Sequence, residues 1–249
     1  MTYCLGIVTH EGLVLASDSR TNAGSDQVSV CRKMHVFETP GERVFVLMTS
    51  GSLSLSQSIL TLLRADFDLG LGLAQVDTMY EAARVIGDQV RHVSDLDRAA
   101  LEKDDFRFNV NFVVGGQIQG KPHDLYLVYP QGNPLCASED SPFLQIGEHK
   151  YGRPILVRGI RYHETPLEEA AKYALISMDS TMRSNVAVGP PIDMVLYRGG
   201  DLEVSHRRRF TASDPDLREI HGAWERALRQ GVSHLPEIDF ETFGQKKSG

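Results

Sequence analysis

Residues 2–20 read TYCLGIVTHEGLVLASDSR, and this stretch decides how the chain begins to fold. Two apolar runs, Tyr3–Val8 and Leu13–Ser17, flank a turn containing Gly12. Apolar and β-branched runs separated by a short glycine-containing turn predict a β-hairpin. Because the second strand of a hairpin returns to the start of the first, we expect Asp18 to lie beside Thr2 at one edge of a sheet.

Three residues, Thr2, Lys33 and Gly51, are candidates for a catalytic site at this edge of the sheet. If Met1 is removed, Thr2 carries a hydroxyl and a free α-amine on one residue, so a nucleophile and a base are present together. Lys33 follows a polar loop, and the strand that starts at Val44 ends at Gly51 in the segment Met48-Thr49-Ser50-Gly51-Ser52. Taken singly, each residue has an ordinary explanation, such as a turn cap, a surface lysine or a strand-to-helix turn. Their joint order favours a catalytic site.

This order of residues resembles the proteasome-type threonine peptidases. In that family an N-terminal threonine precedes a strand, a turn, an Ala-x-Asp-Ser-Arg-like segment, here Ala16–Arg20, and a lysine. The resemblance covers roughly the first 210 residues. The opening residues and the long C-terminal extension look most like Anbu, the "ancestral β subunit" group of bacterial proteasome homologues. The resemblance implies the four-layer αββα sandwich of the N-terminal nucleophile hydrolases.

The resemblance also implies a role for each residue. Thr2 Oγ attacks a carbonyl carbon, and its α-amine, with an intrinsic pKa of about 8, accepts the hydroxyl proton. Lys33 lies as an ammonium beside Oγ, and Asp18 pairs with Lys33 and orients it. The backbone amide of Gly51 stabilises the oxyanion. Asp179 and Ser184 are carried over as residues that orient the α-amine.

The chain departs from the family pattern at three places. Met182 stands where the family has the serine three residues after the aspartate, and Ser184 is carried over in its place because the segment 180–185 looks expanded. Ser50-Gly51 replaces a pair of glycines at the oxyanion position, and Gly147-Glu148 replaces a Gly-Ser turn. A carboxylate at Glu148 would lie close to the Thr2 amine and favour its protonated form.

Helical spacing of apolar residues predicts helices over residues 53–65, 78–93 and 167–178, with strands before, between and after them. This order suits an α+β class. The 249 residues predict a single domain, 1–249, with a C-terminal helical extension at about 212–249. In that extension the apolar residues recur at helical spacing, at Leu217, Ile220, Trp224 and Leu228. Two positions for it stay open: against its own domain or against a neighbouring subunit.

Composition narrows the function classes. The formal net charge of −7 offers no basic footprint for nucleic acid. No apolar run approaches the length needed to cross a bilayer, and no signal peptide is readable, so we expect a cytoplasmic protein without a membrane partner. The 3 cysteines and 9 histidines have no metal-ligand spacing, so we expect neither a metal nor a cofactor.

The sequence therefore predicts a proteasome-like threonine endopeptidase subunit, which hydrolyses a peptide or protein substrate within a homo-oligomer such as a ring. The homo-oligomer is implied by the family resemblance. Two alternatives stay open, an N-terminal nucleophile amidase that acts on a small amide and a catalytically silent structural subunit. The sequence does not indicate whether an ATP-driven partner exists.

Overall fold

The computed structural model describes residues 1–22 and 28–240. In chain order the strands are β1 (Tyr3–Thr9), β2 (Gly12–Asp18), β3 (Arg20–Asn22), β4 (Val28–Val30), β5 (Met34–Thr39), β6 (Arg43–Gly51), β7 (Val110–Ile118), β8 (Asp124–Val128), β9 (Pro134–Cys136), β10 (Phe143–Gly147), β11 (Ile192–Arg198) and β12 (His206–Phe210). The helices are α1 (Leu53–Asp68), α2 (Met79–Lys103), α3 (Arg153–Gly159), α4 (Leu167–Ser184) and α5 (Pro215–Ser233). A short 3₁₀ helix, Gly72–Ala74, precedes α2.

Two antiparallel five-stranded sheets form the centre of the fold. The first has the order β10-β1-β2-β11-β12, and the second has the order β5-β6-β7-β8-β9. The predicted N-terminal hairpin is the pair β1–β2, in which Cys4 lies opposite Ser17. Both strands are buried along their whole length, because one face packs on helices and the other on the second sheet.

Three apolar clusters show the layers. One joins α1 and α2 to the second sheet through residues such as Ile59, Ile86 and Phe112. Another joins α3 and α4 to the first sheet, and the third lies between the two sheets. The order is helices, sheet, sheet, helices, which confirms the predicted α+β class and the αββα sandwich of the N-terminal nucleophile hydrolases.

Helix α2 begins where the sequence predicts it and runs further. Thr78 and Glu81 form a reciprocal capping box at its start. The helix continues to Lys103, ten residues past the predicted end at residue 93, because residues 94–103 contain neither glycine nor proline. Helix α3 was missed, since a helix of 7 residues shows too few turns for periodicity to be recognised.

The C-terminal extension contains α5. Asp214 caps its start, and Arg208 on β12 forms ion pairs with Asp214 and Asp216. Leu217 and Ile220 pack against the apolar cluster of the first sheet. Every residue from 225 to 240 is exposed, so only the first half of α5 packs on its own domain. Within the described ranges, no helix has both the length and the apolar character that a membrane span requires.

Candidate active site

Thr2 directly precedes β1, which lies between β10 and β2 in the first sheet. Its carbonyl oxygen accepts a hydrogen bond of 2.7 Å from the backbone N–H of Glu148. The preceding residue, Gly147, has φ of +85°, and a Cβ there would lie 1.9 Å from the Thr2 oxygen. Only glycine allows this approach. The Gly147-Glu148 turn therefore fixes the backbone of Thr2.

Asp18 and Lys33 form a buried ion pair next to this residue. Lys33 Nζ donates to Asp18 Oδ1 at 2.7 Å, and the two side chains are 7% and 0% exposed. The same carboxylate oxygen accepts a bond of 3.0 Å from the N–H of Tyr3, the residue after Thr2. The hairpin thus brings Asp18 to the start of β1, as the sequence predicts.

The surroundings of Asp18 act on the charge of its carboxyl group in opposite directions. Burial raises the pKa of the Asp18 carboxyl, whereas the Lys33 ammonium and the backbone amides of Tyr3 and Gly189 lower it. Lys33 Nζ also donates to the carbonyl oxygen of Arg20 at 2.7 Å. Because an ammonium has three protons, one is left for a third acceptor such as Thr2 Oγ.

Gly51 closes the opposite side of the site at the end of β6. Its φ is +104°, and a Cβ would lie 2.3 Å from the carbonyl oxygen of Asn109 on the adjacent chain segment. The next residue, Ser52, donates its N–H to that same oxygen at 2.8 Å. Glycine is therefore required for β6 to end against this segment before α1 begins.

These elements surround one cleft and one smaller pocket. The cleft has a volume of about 500 Å³ and is lined by Met1, Thr2, Thr21, Ser50, Gly51, Leu53, Asn109, Asn111, Gly147 and Glu148. The inner pocket, of about 30 Å³, is lined by Thr2, Thr21, Cys31, Lys33, Thr49, Ser50, Gly51, Leu53 and Ser56. Four predicted site residues, Thr2, Asp18, Lys33 and Gly51, thus lie together.

Asp179 and Ser184 are placed elsewhere. Asp179, on α4, forms a hydrogen bond of 2.9 Å with His221 of α5, and neither Asp179 nor Ser184 lines the cleft or the inner pocket. Ser184 is the exposed last residue of α4. The structure therefore does not bring these two residues to Thr2, because α4 runs past Asp179 and directs this side chain to α5.

Three asparagines of the site were missed from the sequence. Asn185, just after α4, donates to Glu148 Oε2 at 3.1 Å. Asn109 and Asn111 line the cleft beside Gly51. The alternation Asn109-Val110-Asn111, at the start of a predicted strand, could have indicated one polar face. Asn185 had no such signal, because its place depends on where α4 ends.

Comparison with solved structures identifies the family. The Gly-1 mutant of Anbu from Hyphomicrobium sp. strain MC1 is 43% identical to this chain, with a TM-score of 0.90 over 96% of this chain and 100% of that one. The chain belongs to the Anbu family of proteasome-type proteins. The Anbu complex from Pseudomonas aeruginosa, solved as a helical assembly, is 40% identical, with a TM-score of 0.85 over 95% of this chain and 98% of that one.

A more distant relative connects the family to proteasomes. The proteasome subunit beta of Haloquadratum walsbyi is 26% identical over 214 residues, which cover 84% of this chain and 78% of that protein. No protein-family model matches the chain. In the described segments, no group of three or more His, Cys, Asp and Glu side chains has a geometry suited to a metal ion. The family and the fold together make the chain a proteasome-like subunit with the fold of the N-terminal nucleophile hydrolases.

Proposed function

We propose that this chain is a threonine endopeptidase subunit in which Thr2 acts as the nucleophile once Met1 is removed. The observation that carries the proposal is the convergence of Thr2, the buried Asp18–Lys33 pair and Gly51 on one cleft. A nucleophile, a positive charge and a backbone amide are the groups that acyl transfer needs.

The proposed reaction begins with attack by Thr2 Oγ on the carbonyl carbon of the substrate amide. The hydroxyl proton passes to the α-amine, and the Lys33 ammonium stabilises the negative charge that develops on Oγ. The amide of Gly51 donates to the oxyanion, a contribution of about 3 kcal/mol. The α-amine then returns its proton to the leaving amine, and water hydrolyses the threonine ester.

The decisive experiment compares two forms of the same protein. One carries Thr2 as the N-terminal residue, and the other keeps Met1 because it was produced with the cell's methionine aminopeptidase inhibited. Intact mass distinguishes them, and each is treated with a β-lactone that acylates N-terminal threonine. We expect a mass increase on Thr2 in the first form alone. Thr2→Val, which keeps the shape and removes the hydroxyl, is the matched control. Equal labelling of the Met1-containing form would reject the mechanism.

The inner pocket supports a second candidate, an amidase that acts on a small amide. The pocket is small, at about 30 Å³, and its lining of hydroxyl-bearing residues, Cys31 and Lys33 favours a small polar group. A parallel screen of peptides and small amides separates the two activities. The third possibility, a catalytically silent subunit, predicts that the β-lactone labels neither form.

We also propose that the subunit works in a homo-oligomer. The Pseudomonas aeruginosa relative is described as a helical assembly, which supports this proposal. A second support is α5, whose outer half and following segment expose Leu228, Val232, Leu235, Ile238 and Phe240 by 49% to 83%. Apolar side chains in such a series favour contact with another subunit.

A further inference from the structure

Glu148 and Asn185 form a polar pair beside Thr2 that the reaction described above does not use. The side-chain N–H of Asn185 donates to Glu148 Oε2 at 3.1 Å. The side-chain oxygen of Asn185 accepts from the backbone N–H of Ala187 at 3.0 Å. Because the Ala187 amide fixes which end of Asn185 is the acceptor, the NH₂ group must face Glu148. The Glu148 carboxylate is therefore oriented by Asn185, and Asn185 is oriented by the Ala187 amide.

The segment that carries Asn185 is tied to the Asp18–Lys33 pair. Arg20 donates from its guanidinium to the carbonyl oxygen of Val186 at 2.6 Å. Gly189 donates its N–H to Asp18 Oδ2 at 3.4 Å. Residues 185–189 and the buried ion pair thus share Arg20, whose carbonyl oxygen accepts from Lys33. The position of Asn185 relative to Thr2 is set by the same network.

Met1 lies against this pair. Its sulfur is 3.2 Å from the side-chain nitrogen of Asn185, and Met1, Thr2 and Glu148 line the same cleft. A thioether is a weak hydrogen-bond acceptor and has no proton to donate, so it forms no hydrogen bond with a carboxylate. An α-amine is the opposite, since it carries up to three donors and a positive charge. Loss of Met1 creates such an amine on Thr2, whose carbonyl oxygen already accepts from the Glu148 backbone.

We propose that Glu148 and Asn185 are positioning residues that hold the α-amine of Thr2 after Met1 is lost. Glu148 accepts a hydrogen bond from the amine, and Asn185 fixes the Glu148 carboxylate. This inference rests on the proposed role of Thr2 as an N-terminal nucleophile. In this arrangement the α-amine of Thr2, which acts as the base, is oriented by Asn185 at the end of α4 and by Glu148 in the turn after β10.

A carboxylate at this place makes the reaction dependent on pH. An anion beside an amine stabilises the ammonium, so the free base forms at a higher pH. The other charged groups around Thr2 are Asp18 and Lys33, which form a buried pair of opposite charges, and Arg20, which donates to the carbonyl oxygen of Val186. His149 is exposed, and its ring contacts the carbonyl oxygen of Gly147. Glu148 is therefore the charge that we expect to govern the titration of the amine.

The first test measures the amine directly. In des-Met protein labelled with ¹³C-threonine, the Thr2 resonances report the protonation of the α-amine during a pH titration. We expect Glu148→Gln, which keeps an acceptor for Asn185, to lower the midpoint by about one pH unit. Asn185→Asp, which adds a second carboxylate, should raise it. Glu139→Gln is the matched control, because Glu139 is an exposed glutamate paired with His163. A midpoint that Glu148→Gln and Asn185→Asp leave unchanged would overturn the proposal.

The second test uses the rate of β-lactone labelling. We expect the acidic limb of the Glu148→Gln profile to move to lower pH by the same amount as the midpoint, while the alkaline plateau falls severalfold because the amine is held less firmly. A purely structural role would lower the rate equally at every pH and would refute the assignment. If no form is labelled, the proposed function fails, whereas the titration still decides whether the pair holds the amine.

Discussion

At the scale of single residues, the buried ion pair is the feature that the sequence predicts best. Asp18 ends a strand that pairs with the strand starting after Thr2, so hairpin geometry alone brings the two together. Lys33 lies just before β5, and its carbonyl oxygen accepts a hydrogen bond of 3.0 Å from the N–H of Thr49 on β6. This contact helps to place Lys33 next to Asp18. Hairpin geometry thus predicts the position of Asp18, whereas its pairing with Lys33 was implied by the family resemblance.

The residues around the amine could not be predicted in this way. The helix that was expected to end at an active-site aspartate near Asp179 continues to Ser184. Each added residue turns the helix by about 100°, so an error in the helix end changes which side chain faces the cleft. Asn185 is the residue that contacts Glu148 beside the cleft, and Asp179 contacts His221 instead.

The first residue-level prediction concerns Lys33→Met. This substitution leaves Asp18 buried without its partner, so we expect the free energy of unfolding to fall by about 3 kcal/mol and β-lactone labelling of Thr2 to be lost. Urea denaturation and intact mass measure the two effects. In the double variant Asp18→Asn, Lys33→Met, stability should recover while labelling stays absent. Normal labelling of Lys33→Met would show that the lysine is not catalytic.

The second concerns the alkaline limit of stability. Tyr3 is 0% exposed, and burial raises the pKa of its phenol to about 12. The folded state therefore keeps a proton that the unfolded state loses above pH 10, and stability falls as pH rises from 10 to 12. One such group contributes a loss of about 3 kcal/mol over this interval. Denaturation of Tyr3→Phe at several pH values should show a correspondingly shallower decline, and an equal decline would assign it to other groups.

At the scale of elements, the contact between β1 and β10 places the nucleophile. The hairpin β1–β2 was evident in the sequence because its turn is short, whereas the pairing of Tyr3 with Gly147 joins segments separated by most of the chain. Such a long-range pair leaves little trace in local composition. The sequence marked only the unusual Gly147-Glu148 turn.

Gly147→Ala tests this contact, and Gly41→Ala is its matched control. The two glycines have nearly equal φ, +85° and +81°, but a Cβ at Gly41 meets nothing within 4 Å. We expect Gly41→Ala to cost about 1 kcal/mol of stability, from backbone strain alone. Gly147→Ala should cost about 3 kcal/mol and slow Thr2 labelling, because the added Cβ pushes β10 away from Thr2. Equal stabilities of the two variants would show that the turn tolerates a side chain.

At the scale of the whole molecule, the two halves of α5 have different environments. The first half is fixed to its own domain by Leu217, Ile220 and the contact of His221 with Asp179. Every residue of the outer half is exposed in the part of the chain that the structure describes. The two positions that the sequence left open for this extension therefore apply to different halves, one seen in the structure and one proposed.

The last prediction follows from this division. Leu228→Asp and Val232→Asp together place charges on side chains that are 49% and 66% exposed, so the fold of one subunit should keep its melting temperature. If the outer half of α5 contacts a neighbouring subunit, burying these charges is unfavourable, and native mass spectrometry should show smaller assemblies than the unmodified protein forms. Leu69→Asp, at a loop position that is 75% exposed, controls for the added charge itself. Assemblies of unchanged mass in the double variant would reject α5 as the contact and would leave the homo-oligomer to be built through another surface.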